Sequence, residues 1–554
     1  NPSSGKTSVV DERTYGGDSY SLRIYMELNG NSTCIRLILY TPSNQNIKIY
    51  DAYKALKSYF IYCTAFKPLA DFYSLFYNES FQEARELIID IMQRERLYGT
   101  RKMKWLHVEG DKIVNEDGFI VFLYGANYMG MEFGWFNHKE EDFVRMRNWG
   151  FNVVRLPIGW HYIEPEPGKI DEEYLMLIDK VIYLAKKNGL YVVLDMHQWH
   201  WSPRFDGCGM PDWVVPDAIN YKDASIKFFT NRKYWVKFAN VWKILAERYR
   251  DEPAIAAYDI FNEPMPDYDK LSPERFREIL SDFYDYVIGE IRKKDQKHIV
   301  MFMSVWGSDR ETVPTVSDNN SVLDVHFYAG GTWDGKTGYE HITYHELRRE
   351  VEAWILVAKK IGKPLWFGEF GVGSSAYRAS DWAHDVTQFF DHCVVGYCWW
   401  TYWRDATSFG LLYPDGSEKE SILSILDRPH VRQTNASITD LYFDINTKVF
   451  TIYIDPKNTD TISLWIYIPL RHFPQHLLIK VENAIITKRI ENDNVTMIHI
   501  RPKSDERIII SIEPKSYMID PPKDLHPGSN MSFVLILILI FIALLLLLDL
   551  QKKI

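Results

Sequence analysis

The run Ala254-Ile255-Ala256-Ala257-Tyr258-Asp259-Ile260-Phe261-Asn262-Glu263-Pro264 decides how this chain folds. It is a short apolar segment that stops at a proline, with Met265-Pro266 beyond, which is the pattern of a buried parallel strand reaching a loop. A Glu at the mouth of such a strand has no packing role, because carboxylates are almost never fully buried without a partner. Taken alone, Asn-Glu-Pro also reads as a turn, since Asn favours turns and Pro ends strands. The flanking sequence separates the two readings.

Outward from this run the pattern is periodic. Strands are predicted at Ile120–Gly125, Asn152–Pro157, Leu190–Met196, Ile255–Phe261, Ile299–Ser304, Val322–Phe327, Leu365–Glu369 and Val395–Trp400. Helical stretches fall between them near 139–149, 172–188, 232–250, 273–294, 345–361 and 380–392. A small hairpin, Val108–Val114, turns at Gly110-Asp111 just ahead. Eight β/α repeats over one stretch predict an α/β fold, a closed (β/α)8 TIM barrel spanning 101–429. An open doubly wound sheet would carry a glycine-rich phosphate loop after its first strand, and Gly125-Ala126-Asn127-Tyr128 is not one. From 430 to 514 short alternating strands without helices predict an all-β sandwich. Residues 515–530, with Pro521-Pro522 and Pro527-Gly528, read as a stalk. Residues 1–100 form an accessory region with no functional assignment; Tyr20–Glu27 and Thr33–Tyr40 read as a hairpin, and Ser80-Phe81-Gln82-Glu83 as a capping box opening a helix.

The C-terminal run 531–550 contains FVLILILIFIALLLLL and is just long enough to span a bilayer, for which about 20 apolar residues are needed. Lys552-Lys553 follow, so the positive-inside rule predicts a single-pass cell-surface protein with its catalytic part outside and a short cytoplasmic tail. A cleaved lipid-anchor signal is the rival, but such tails normally lack terminal lysines. The first residue is Asn1 rather than Met, which fits a removed export signal or a fragment. Six Asn-x-Ser/Thr sites fit export as well. A net charge of -10 argues against a nucleic-acid partner. Aromatics are 15% of residues, a composition suited to stacking on sugar rings or to filling cores. Cys34–Cys63 and Cys393–Cys398 are candidate bridges, although the apolar setting of the second pair suits plain buried thiols.

In such barrels the active site gathers at the C-terminal ends of the strands. Those ends carry Arg155, His197, Asn262 with Glu263, His326 with Tyr328, Glu369 and Trp400. Strands four and seven face each other, so Glu263 and Glu369 are opposed carboxylates. Glycosidic cleavage needs such a pair, one protonated for the leaving oxygen and one ionised for the anomeric carbon. The expected carboxyl separation is about 5–5.5 Å, and the like charge of Glu369 is expected to raise the pKa of Glu263. His197, His200, Asp206, Cys208 and Asp212 crowd one loop, but no pair has familiar zinc spacing, and Trp199, Trp201 and Trp213 among them suggest a sugar-stacking wall. The reading therefore assigns neither metal nor cofactor. No Gly-x-Ser-x-Gly elbow appears.

Asn262-Glu263-Pro264, Gly368-Glu369-Phe370-Gly371, Val154-Arg155-Leu156-Pro157, Asp195-Met196-His197 and His326-Phe327-Tyr328 together resemble glycoside hydrolase family 5 of clan A. The resemblance implies a retaining β-glycosidase, with Glu263 as general acid/base and Glu369 as nucleophile. It implies that Asn262 holds the sugar 2-hydroxyl, Tyr328 sits beside the nucleophile and Arg155 tunes its charge. By the same implication His197 and His326 line the cleaved subsite, and Trp400 (or Trp399 or Trp403, if the register differs) forms its stacking floor. The stretch from Asp195-Met196-His197-Gln198 to Trp213 is similar to endoglycoceramidase-like members, from which Trp199-His200-Trp201 departs. The implied substrate is a β-linked glycan of cellulase, β-glucanase or mannanase type, with glycolipid hydrolysis or non-catalytic carbohydrate binding as alternatives. A cleft lined by Trp160, Trp201 and Trp306 would favour a polymer, and a half-closed pocket with an apolar exit a glycolipid. Oligomeric state is not legible.

Overall fold

The structure, a computed structural model, describes residues 103–514 apart from 266, 457–458, 475–476 and 493, together with the backbone of three strands between residues 6 and 40. Those three, Lys6–Tyr15, Asp18–Asn29 and Ser32–Tyr40, form an antiparallel sheet, and the last two pair with each other as the hairpin reading expects. The helix expected after Ser80, the Cys34–Cys63 pairing, the 515–530 stalk and the 531–550 membrane helix lie outside the described residues. Among the described residues no helix is long and apolar enough to cross a membrane.

Eight parallel strands close into a barrel: β1 (Tyr124–Asn127), β2 (Val153–Ile158), β3 (Tyr191–Met196), β4 (Ile255–Asp259), β5 (Ile299–Phe302), β6 (Ser321–Phe327), β7 (Leu365–Phe370) and β8 (Tyr397–Trp399). Helices form the outer ring where the sequence provides caps and a single apolar face. In Glu172–Lys187, the Asp171 side chain accepts from the amides of Glu173 and Tyr174, and Tyr174, Ile178, Val181, Ile182 and Ala185 face inward. In Tyr344–Ile361, Thr343 and Glu346 form a capping box, and Gly362 ends the helix in the left-handed region.

The architecture departs from the predicted one in three places. The first predicted strand, Ile120–Gly125, is two strands: Ile120–Val121 belongs to another sheet, and the barrel strand begins at Tyr124. Asn152 fixes the break, donating to the Phe122 carbonyl and accepting from the Tyr124 amide, each at 2.8 Å. Between β5 and β6 two short 3-10 turns, Val305–Gly307 and Arg310–Thr312, replace the helix that a full fifth β/α repeat would have. The third concerns the sandwich. Its smaller sheet contains Ser437–Asp444, Val449–Asp455, Ile508–Pro514 and Leu477–Glu482, as the C-terminal pattern predicts. The larger sheet adds to Ala484–Asn492, Val495–Pro502, Ile462–Tyr467 and His430–Thr434 three strands from ahead of the barrel: Ile120–Val121, Lys112–Asn115 and Leu106–Glu109. Leu106, Ile113 and Val121 pack with Val153, Val193, Ile299, Val322 and Trp366, so this hairpin closes the floor of the barrel. Cys393 and Cys398 are free thiols, Cys398 buried.

Candidate active site

Register places the polar residues in level pairs along the inner wall. Asn127 pairs with Arg155, Asp195 with Asp259, and His326 with Glu369. Burying so many polar groups is tolerated only when each is hydrogen-bonded or paired, and Arg155 is what pairs them. Its Nη1 donates to Glu369 Oε1 at 2.7 Å and to Asn127 Oδ1 at 3.0 Å, and lies 3.1 Å from Asp195 Oδ2. Its Nη2 donates to Asp259 Oδ2 at 2.7 Å and Asn262 Oδ1 at 2.9 Å. Burial alone would favour the neutral guanidine, but Asp195, Asp259, Glu369 and Asp324 hold it charged, its pKa raised well above the ordinary value. Burial, with Asp259 adding to it against Arg155, pushes Asp195 and Asp324 well above the carboxylate range.

The two glutamates are brought together. A carboxylate oxygen of each, with a ring nitrogen of His326, lies within 4.8 Å of the others, in keeping with a short separation and far from a 9 Å gap. Their surroundings differ. Glu369 receives Arg155 on one oxygen and the Tyr328 hydroxyl on the other, at 2.9 Å. Burial raises its pKa, and His326 and Arg155 pull it back down. Glu263 shares a 2.7 Å hydrogen bond with His326 Nδ1, and burial pushes its pKa up to about 7. The predicted direction is present but its cause differs: burial raises Glu263, while the like-charge effect appears on Glu369. Burial lowers His197 and His326 to about 4, so both rings are neutral near pH 7.

Gly368 makes the Glu369 backbone possible. Its amide donates to Asp324 Oδ1 at 2.7 Å, and a Cβ there would lie 2.3 Å from both carboxylate oxygens of Asp324. The Trp400 ring lies parallel to His197, 5.6 Å away, while Trp399 is in the core and Trp403 stacks on Trp135. Trp400 is thus the tryptophan of the three that borders this cluster.

The expected aromatic wall is different. Trp201 and Trp160 are fully buried, Trp201 against Phe228 and Phe261 and Trp160 against Trp213 and Phe238. Of the proposed cleft residues only Trp306 is exposed, at 38%. The His197–Asp212 loop assembles no chelating cluster among the described residues; the one group close enough is Glu263, His326 and Glu369. Sequence reasoning missed Asn127, Gln198, Asp195, Asp259 and Asp324 as site members. Two of them were within reach, because Asp195 and Asp324 stand two residues before His197 and His326 and so share their strand face.

A (β/α)8 barrel holding two opposed glutamates at its C-terminal mouth, one gripped by Arg and Tyr and one kept protonatable by burial, defines a hydrolase of glycosidic bonds. Residues 114–406 match the family described as cellulase (glycosyl hydrolase family 5), and the chain belongs to that family. Cellodextrinase A of Ruminococcus flavefaciens is 26% identical over 252 residues, 42% of this chain and 68% of that one. An endoglycoceramidase of Hydra vulgaris is 25% identical over 369 residues, 57% of this chain and 68% of that one. Endo-glycoceramidase II from Rhodococcus sp., solved with ganglioside GM3, aligns at 21% identity and a TM-score of 0.63, covering 74% of this chain and 100% of that one. At that identity the structural likeness speaks for the fold.

Proposed function

We propose that this glycoside hydrolase cleaves the β-bond between a sugar and a lipid aglycone with retention of configuration. The opposed, unequally held glutamates carry the reading. Glu369, held by Arg155 and Tyr328, attacks the anomeric carbon as Glu263 delivers its proton to the leaving oxygen. Glu263 then takes a proton from water, whose oxygen displaces Glu369 from the sugar. Neutral His326, at 2.7 Å from Glu263 Oε1 through Nδ1, keeps that carboxyl oriented through both steps. In this reading Asn262, which accepts from Arg155, would hold the sugar 2-hydroxyl, and Trp400, stacked with His197, would floor its ring.

The lipid aglycone is supported by what is missing from the mouth and by what stands there. Burial of Trp160 and Trp201 removes two of three platforms for a polymer. Phe133, Trp135 and Trp403 stack in series at 5.0 and 5.2 Å, and Trp135 and the adjacent Phe136 are 45% and 39% exposed, an aromatic strip fit for an acyl chain. The endoglycoceramidase relatives point the same way. The apolar run 531–550 would hold the enzyme at the membrane in which such a substrate resides.

The test is to give the detergent-solubilised full chain glucosylceramide, lactosylceramide, cellulose, mannan and xylan, and to follow the first-formed anomer by proton NMR. Release of β-anomeric sugar from a glycolipid is expected. An α-anomer would overturn retention. Cleavage of cellulose alone would favour the second reading, a β-glucanase, which the family description and the cellodextrinase relative support.

A further inference from the structure

Glu263 has φ 44°, in the left-handed region, which is strained for a non-glycine residue and persists only where neighbours impose it. Its own amide is weakly held, pointing at the Met303 thioether sulfur at 2.9 Å, and Pro264 beyond has no N–H. The restraint comes from the loop after β3. Gln198, 1% exposed, donates through Nε2 to the carbonyl oxygens of Asn262 at 3.0 Å and Glu263 at 2.8 Å. These carbonyls belong to the peptide planes on either side of the Glu263 Cα, so one amide group fixes both φ and ψ there.

Gln198 is itself fixed from behind. Its Oε1 accepts from the Trp201 amide at 3.1 Å, and Asn262 Nδ2 donates to its main-chain carbonyl at 3.0 Å. Two carbonyls requiring a donor and one N–H requiring an acceptor leave a single orientation for the carboxamide. Gly209 packs against it so closely that a Cβ would lie 2.7 Å from Gln198 Cβ. The buried Trp201 ring thus anchors a clamp whose far end is the main chain of the proton donor.

We infer that Gln198 is a positioning residue for the acid/base, aiming the Glu263 carboxyl at the leaving oxygen without touching substrate. The inference rests on the assignment of Glu263 as general acid made above. It separates from a merely structural role through leaving-group dependence: a misaimed acid matters only where the leaving group needs a proton. In Gln198→Glu an oxygen faces both carbonyls, and in Gln198→Met no donor remains; both preserve length.

The experiment compares native protein, both variants and Glu263→Gln on 2,4-dinitrophenyl and phenyl β-glycosides of the sugar the native protein releases. For the Gln198 variants kcat/KM on the dinitrophenyl glycoside should stay within about threefold of native, and on the phenyl glycoside fall about 100-fold. Equal losses on both substrates, or none on either, would overturn the role of Gln198 when Glu263→Gln does show the dependence. Absence of the dependence in Glu263→Gln would instead overturn the identity of the acid.

Discussion

Replacing Tyr328 by Phe removes one hydrogen bond and little else, since the ring keeps its edge contact with Phe409. The lost bond runs from the Tyr328 hydroxyl to Glu369 Oε2, 2.9 Å, in a buried setting. A hydrogen bond to a charged group contributes about 1.5–3 kcal/mol, and a pKa unit corresponds to about 1.4 kcal/mol. The hydroxyl favours the ionised form, so the substitution should raise the Glu369 pKa by about 1–2 units beyond the rise burial already causes. Turnover needs Glu369 ionised and Glu263 protonated. The acid limb of kcat/KM against pH should therefore move up by that amount, while the alkaline limb stays near 7, where Glu263 titrates. The bell narrows from its acid side, with losses of about 10- to 100-fold below the native acid limb and small losses above pH 7. Hydrolysis of a soluble aryl glycoside across pH 3–9 measures both limbs. A uniform loss at every pH, or movement of the alkaline limb alone, would refute the placement of Tyr328 on the nucleophile.

Arg155→Met should leave Asp195, Asp259, Asp324 and Glu369 without their buried cation and cost about 3–5 kcal/mol in chemical denaturation, besides abolishing turnover. Trp160→Ala should cost about 3–5 kcal/mol with KM unchanged, because the ring fills the core; a raised KM at native stability would return it to the cleft. Glu263→Gln should be the more stable protein at alkaline pH. The folded-state pKa of Glu263 is raised from 4.5 to about 7, so its stabilising contribution is present below about 4.5 and lost as pH rises through 7, roughly 3 kcal/mol at most. Thermal melts of both proteins at pH 4 and pH 8 should coincide at the first and separate at the second.

The barrel was legible because parallel strands buried on both faces leave continuous apolar runs, and because each run ends on a residue that packing alone would not choose. Glu263 and Glu369 announced themselves as charges where a core strand stops. The layer beneath was hidden for the same reason reversed: Asp195, Asp259 and Asp324 lie inside the runs, where a single carboxylate reads as an interruption until Arg155 is seen between them. Gln198 could not be found, since its importance lies in two carbonyls whose directions the sequence does not encode. The tryptophans misled because large aromatics serve cores and sugar platforms alike, and only burial separates Trp201 from Trp306. The sandwich was placed too late in the chain because hairpin 106–115 is short and joins the larger sheet through Ile120–Val121, whose other partner, His430–Thr434, lies beyond the whole barrel.

That last arrangement works as a clasp. Ile120 and Val121 pair with Thr434 and Gln433, and the Phe122 amide donates to the Arg432 carbonyl at 3.0 Å, so the chain enters and leaves the barrel side by side. Cutting after the last barrel helix, the natural place to isolate a catalytic unit, would strip a partner from the short strand beneath the barrel floor and leave a raw edge ready to pair with a neighbour. The two parts are therefore not beads that evolution or an engineer could restring one at a time. A trimmed version would have to begin downstream of the hairpin as well, or carry a substitute for the strand it lost.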